Sequence, residues 1–132
     1  MFEQVCRLIF RMYAYADLTK MIHYSTSCNH IHELCDVVRD DIVGFADDLA
    51  EQFFGTDGKP SLEKFKLETD LTPTEDIRDI CDGAIKSVEW VRKECEKDEK
   101  YSGLVSLIDD FKGKMNKNIF LSTFDKLSNI EN

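Results

Sequence analysis

Apolar positions recur at steps of three and four along most of the chain, the spacing of helices that each bury one stripe. The first stripe runs through Phe2, Val5, Ile9, Met12, Ala16, Thr19 and His23 and predicts a helix over residues 2–24. The polar run Ser25-Thr26-Ser27-Cys28-Asn29 interrupts it, with Ser, Thr and Asn side chains available as caps. A second stripe, Ile31, Leu34, Val38, Ile42, Phe45, Leu49 and Phe53, predicts a helix from residue 29 to Phe54, ended by Gly55, Gly58 and Pro60. Residues 55–73 form a connection too long to be structureless in a compact domain, so Ser61 to Phe65 is expected to make a helical turn. Leu62, Phe65 and Leu67 would then dock on the bundle. Thr72-Pro73-Thr74-Glu75-Asp76 marks a third start, with Thr74 as the expected cap. The third stripe is Ile77, Ile80, Cys81, Ala84, Val88, Val91 and Cys95, with Trp90 off its centre and expected at a subunit contact. After a polar break at 97–100, a fourth helix places Tyr101, Leu104, Ile108, Phe111, Met115 and Ile119 inward. The expectation is an all-α, single-domain four-helix bundle spanning 1–132, whose long crossover carries a short helix.

The second helix has another ordered face. With His32 at zero and 100° per residue, Asp36 falls at about 40°, Asp47 at about 60° and Glu51 at about 100°, away from the apolar stripe. His30 falls at about 160°, off this face, and reads as exposed. Fifteen residues of helix separate His32 from Asp47 by roughly 22 Å, so one copy cannot gather these side chains around one metal. Two antiparallel copies crossing at residues 41–42 can, setting His32 and Asp36 of one chain against Glu51 and Asp47 of its twin. That is an isologous twofold interface with two equivalent sites. Val43 and Gly44 lie near the crossing, and close approach of two backbones would account for a glycine inside a helix. Set against this, an acidic face in a chain with 26 acidic residues is ordinarily a solvated one.

His23-Tyr24, then His32-Glu33-Leu34, Asp36, Asp47 and Ala50-Glu51, resemble the ferroxidase signature of the Dps-like mini-ferritins. In that family a histidine followed by tryptophan ends the first helix. A second histidine and an acid one turn later open the next, and an Asp-x-x-x-Glu pair follows. The spacings from His32 onward agree. Tyr24 replaces the tryptophan, and the interval from His23 to His32 is shorter than in most relatives, similar to Dps-like proteins encoded by some bacteriophages. The resemblance implies a ferritin-like bundle whose twofold dimers build the site together, with His23, His32, Asp36, Asp47 and Glu51 as metal ligands and catalytic residues. It also implies Fe(II) oxidation by peroxide or dioxygen and storage of ferric oxide in a hollow homo-oligomeric shell, commonly a dodecamer. Acids before the last helix line an iron-entry pore in that family. Here Glu96, Asp98 and Glu99 precede it, but Ser102 and Gly103 stand where a further acid belongs, and an ordinary charged loop is the safer reading.

Composition narrows the chemistry. Two imidazoles with three carboxylates form a mixed nitrogen and oxygen set suited to iron, with zinc or manganese as substitutes. The net charge of −9 argues against nonspecific DNA binding, and the closing residues Ser128 to Asn132 carry no basic tail. No apolar run approaches the roughly 18 residues of a membrane span, and no secretory signal is visible. Five cysteines, Cys6, Cys28, Cys35, Cys81 and Cys95, form no C-x-x-C pair and read as reduced thiols in a cytoplasmic compartment; the resemblance implies a prokaryotic or phage-infected cell. Cys28, one turn before His32, opens a softer alternative in which Cys28, His32 and Asp36 hold zinc. Phosphate loops and nucleophile elbows are absent. The competing class is a ferritin-like scaffold that assembles without oxidising iron, its carboxylates at most holding a structural metal at the dimer interface.

Overall fold

The computed structural model describes residues 1–66 and 70–124. Five α-helices carry the architecture: α1 (Phe2–Ser25), α2 (Asn29–Asp57), α3 (Ile77–Ser87), α4 (Glu89–Glu96) and α5 (Ser102–Ser122). Short 3-10 turns occupy Leu62–Lys64 and Glu99–Tyr101, and there is no strand among the described residues. Helices α3 and α4 continue one another as the third leg, so the architecture is a four-legged helical bundle. None of the described helices is long and apolar enough to cross a membrane.

Contacts at the two ends fix the direction of each leg. At one end Phe2 packs on Phe53 and Phe54, with ring centroids 5.5 and 5.7 Å apart, and the Tyr101 hydroxyl donates to the Asp57 carboxylate at 2.8–2.9 Å. At the other, His30 Nε2 donates to the Leu121 carbonyl at 2.7 Å, and Thr26, Ile31, Ile77 and Ser122 line a common groove. Helices α1 and α5 therefore run one way and α2 and α3–α4 the other. Going round the bundle, α1 neighbours α2, α2 neighbours α5, α5 neighbours α3, and α3 closes the ring on α1. Gly58, after α2, and Asp76, before α3, therefore lie at opposite ends of the bundle.

The predicted stripes are the core. Val5, Ile9, Met12, Val38, Ile42, Leu49, Phe53, Ile80, Cys81, Ile108, Phe111 and Met115 are buried, and the Phe45 and Phe111 rings stack at 4.0 Å. Ile31 and Ile119 at the stripe ends are half-buried. Burying such side chains at about 1.5–3 kcal/mol each supplies the main drive for folding.

Several boundaries differ from expectation for local reasons. Helix α2 runs past Gly55 to Asp57 and is capped by Gly58 at φ +98, a conformation that favours glycine. The residue preceding α2 is Cys28, which offers no side-chain cap; Thr26 Oγ1 instead accepts from the Cys28 amide at 3.2 Å, and Ser25 belongs to α1. Asp76, not Thr74, caps α3, accepting from the Arg78 amide at 2.9 Å, while the Thr74 hydroxyl bonds Asp79 at 2.7 Å. The third leg is broken at Val88, where Ser87 Oγ donates to the Gly83 carbonyl at 2.7 Å, a back-bond that bends helices. The last helix begins at Ser102, after the short 3-10 turn. Leu62 is 88% exposed and does not dock; Phe65 does, against Phe10 and Phe54 at 5.6 and 6.2 Å. Leu67 and residues 128–132 lie outside the described residues.

Candidate metal centre

His23 closes the buried stripe of α1, and the tight turn after it returns the chain so that α2 starts alongside. His23 and His32 are thereby stacked, with ring centroids 3.7 Å apart and an interplanar angle of 21°. Their hydrogen bonds are reciprocal: His23 Nδ1 donates to the His32 carbonyl and His32 Nδ1 donates to the His23 carbonyl, each at 2.8 Å. A carbonyl oxygen can only accept, so both rings carry their proton on Nδ1, and Nε2 is the lone-pair nitrogen of each neutral ring. This is how main-chain carbonyls orient metal-binding histidines. The short turn between α1 and α2 brings the two backbones within reach of this exchange.

Asp36 stands one turn beyond His32. Its Oδ1 lies 3.7 Å from His23 Nδ1 and 3.6 Å from Lys20 Nζ. His23 is largely covered, its side chain 11% exposed, whereas the Asp36 side chain is 58% exposed. Lys20 also sits over the Tyr24 ring at 5.5 Å, and Tyr24 meets His23 edge-on at 5.5 Å. Tyr24 thus leans on His23.

Asp47 and Glu51 are exposed further along α2, as the helical spacing requires. The structure brings His23, His32 and Asp36 together and leaves Asp47 and Glu51 apart from them. Among the described residues, no three His, Cys, Asp or Glu side chains of the single chain form a group able to hold a metal ion, the Cys28, His32 and Asp36 set included. A centre using all five residues needs donors from two chains. Val43 and Ala50 are half-buried on this face, Gly44 is exposed, and no heavy atom lies within 4 Å of a Cβ built on it.

The remaining candidate groups are accounted for by packing. His30 is half-buried, not exposed, because its ring holds the end of α5 through Leu121. Burial, reinforced by Asp36 and opposed by Lys20, pushes the Cys35 thiol up to about 11. Burial with Asp41 nearby pushes Cys81 up to about 12. Both are thiols rather than thiolate ligands at neutral pH. Cys28 is exposed, and none of the five is disulfide-bonded. Of the acids before α5, Glu96 pairs with Arg92 and Asp98 caps the 3-10 turn by accepting from the Lys100 amide at 3.1 Å. Trp90 is 48% exposed.

Two polar features escaped the sequence reading. Asn118, only 2% exposed, donates to Asp41 at 2.9 Å between α5 and α2. Beside it Asp40, Asp41, Asp48 and Asp110 line a groove of about 250 Å³ with Lys114. The regular spacing of acids on α2 was the visible signal, but their facing α5 depended on the packing. No family model, curated protein or solved structure matches the chain.

Proposed function

We propose that this chain is a subunit of a Dps-like ferroxidase and iron-storage protein, in which Fe(II) is the substrate of a site shared across a twofold dimer. The observation that carries the reading is the histidine pair. Both rings are held by main-chain carbonyls in the tautomer that leaves the Nε2 lone pair free for a metal ion, with a carboxylate beside them on a face left open by the bundle. The topology supports it: two antiparallel hairpins joined by one crossover between opposite ends of the bundle is the ferritin-like arrangement.

In this account His23, His32 and Asp36 of one chain face Asp47 and Glu51 of its twin. The imidazoles bind Fe(II), and the hard carboxylates favour Fe(III), so the site lowers the cost of electron loss. Two Fe(II) give one electron each to hydrogen peroxide, which takes up two protons and leaves as water; dioxygen is the other oxidant. The aspartates between α2 and α5 add a negative field that gathers cations. Iron chemistry of this kind protects a cell from oxidative damage, and a cytoplasmic homo-oligomer, a dodecameric shell in the family it resembles, would hold the product.

A second reading is favoured by the same hydrogen bonds. The reciprocal bonds staple the turn between α1 and α2 without any metal, as a non-catalytic assembly protein with a metal-stabilised dimer interface would need. Asp47→Ala and Glu51→Ala separate the two. Loss of Fe(II) oxidation at unchanged particle mass is expected for the ferroxidase. Dissociation of the dimer by the same changes, in a protein that never oxidised iron, would overturn it.

A further inference from the structure

A separate concavity, lined by neither His23 nor His32, lies along α1. It is a groove of about 650 Å³ between α1 and the broken leg α3–α4, within the size range of small-molecule sites. We propose that it binds a small anion carrying a planar apolar ring, of the aromatic carboxylate class. This goes beyond the iron reading and does not depend on it.

Charge is the first argument. Among the described residues, Arg7, Arg11 and Lys86 line the groove with one acid, Asp70, in a chain of net charge −9. Arg11 is held in place, its Nε donating to Ser87 Oγ at 3.1 Å and Nη1 to Asp70 at 3.2 Å, with the guanidinium over the Tyr15 ring at 5.6 Å. Arg7 and Lys86 pair with Glu3 and Asp82, each one turn away on the same helix and exposed. Such pairs are weak and screened, so both cations can turn to a ligand carboxylate at little cost. The second argument is apolar. Trp90, the chain's only tryptophan, is 48% exposed at the groove, over a floor that includes buried Leu8 and Val91. An indole beside cations suits a flat ring bearing a negative group. The third is the wall. A Cβ at Gly83 would come within 2.5 Å of the Tyr15 hydroxyl, so glycine there lets Tyr15 lie against α3 and shape the groove. Hydration favours a carboxylate on a ring over inorganic phosphate, which would gain nothing from Trp90.

The protein in its own assembly state is titrated with 4-nitrobenzoate, 4-nitrobenzyl alcohol and inorganic phosphate. Trp90 fluorescence and calorimetry are the readouts. Saturable binding of one 4-nitrobenzoate per chain with quenching of Trp90 is expected, at least tenfold tighter than the alcohol or phosphate. Arg7→Gln with Lys86→Gln, both exposed and outside the core, should weaken it about tenfold while leaving the melting temperature unchanged. Trp90→Ala should weaken it in calorimetry. No saturation below about 10 mM, equal binding of the alcohol or of phosphate, or indifference to the double substitution would overturn the assignment.

Discussion

Replacing single glycines by alanine distinguishes an isolated helix face from one that meets a second copy. Gly113 in α5 and Gly44 in α2 are both exposed helical positions where a new Cβ would meet no heavy atom within 4 Å. Alanine at an open helical site is favoured over glycine by about 0.5–1 kcal/mol, which for a domain of this length raises the melting temperature by roughly 2–5 °C. In the chain alone, the two substitutions should therefore stabilise equally. The proposed twofold axis changes the result at Gly44, because two α2 helices crossing at residues 41–42 would add a methyl group from each side to a close backbone approach. Overpacking of that kind costs about 1–3 kcal/mol, so dimer dissociation should strengthen roughly five- to 150-fold. Thermal unfolding over a dilution series, with mass read by light scattering, measures both effects. Gly113→Ala should raise the melting temperature at every concentration. Gly44→Ala should raise it only where the wild type is already dissociated, and should lower particle mass elsewhere. Equal stabilisation by both substitutions at all concentrations, with mass unchanged, would refute the crossing at this position.

Gly83→Ala should show the opposite sign, destabilising by about 1 kcal/mol because the overpacking against Tyr15 exceeds the gain in helix propensity; Tyr15→Phe in the same chain should recover part of the loss in a denaturant titration. Asp76→Ala should cost about 1 kcal/mol through loss of the α3 cap, and Asp76→Asn less. Hydrogen bonding to Arg78 lowers the Asp76 carboxyl, so its contribution is fully present above the unfolded value of about 4 and is lost as pH falls through the lower folded value. Acid unfolding of Asp76→Asn should therefore be less steep below about pH 4 than that of the wild type. A thiol reagent at neutral pH should label Cys28 rapidly and leave Cys35 and Cys81 unmodified until the protein unfolds, read by mass spectrometry. Rapid labelling of all five would contradict the packing described.

The legs of the bundle were legible because each helix buries one stripe, and every buried position on α3 and α4, from Ile77 to Cys95, fell on the predicted spacing. Spacing along one strip of chain says little about what a neighbouring element contributes. His30 read as exposed from its own helix, yet the end of α5 lies over it. The break at Val88 came from Ser87, whose hydroxyl turns back on Gly83 and accepts from Arg11 of another helix, a tertiary condition invisible in the stripe itself. Thr74 lost the cap to Asp76 because the carboxylate also engages the Arg78 side chain, at 2.8 Å, which fixes the turn two residues later. At the candidate centre, the shared face of His32, Asp36, Asp47 and Glu51 followed from helical geometry. The reciprocal carbonyl bonds of His23 and His32 did not, since they depend on how closely α1 and α2 approach after a short turn.

The central claim is ferroxidase chemistry in an assembly of this chain. Fe(II) oxidation by air and by peroxide, followed by absorbance on a sample whose mass is read in the same run by light scattering, addresses it most directly. Oxidation well above the buffer rate by a particle many chains in mass, with ferric product kept in solution, is the predicted result. A well-folded dimer or larger particle with no rate above buffer would contradict it and leave a helical scaffold whose acidic face serves assembly.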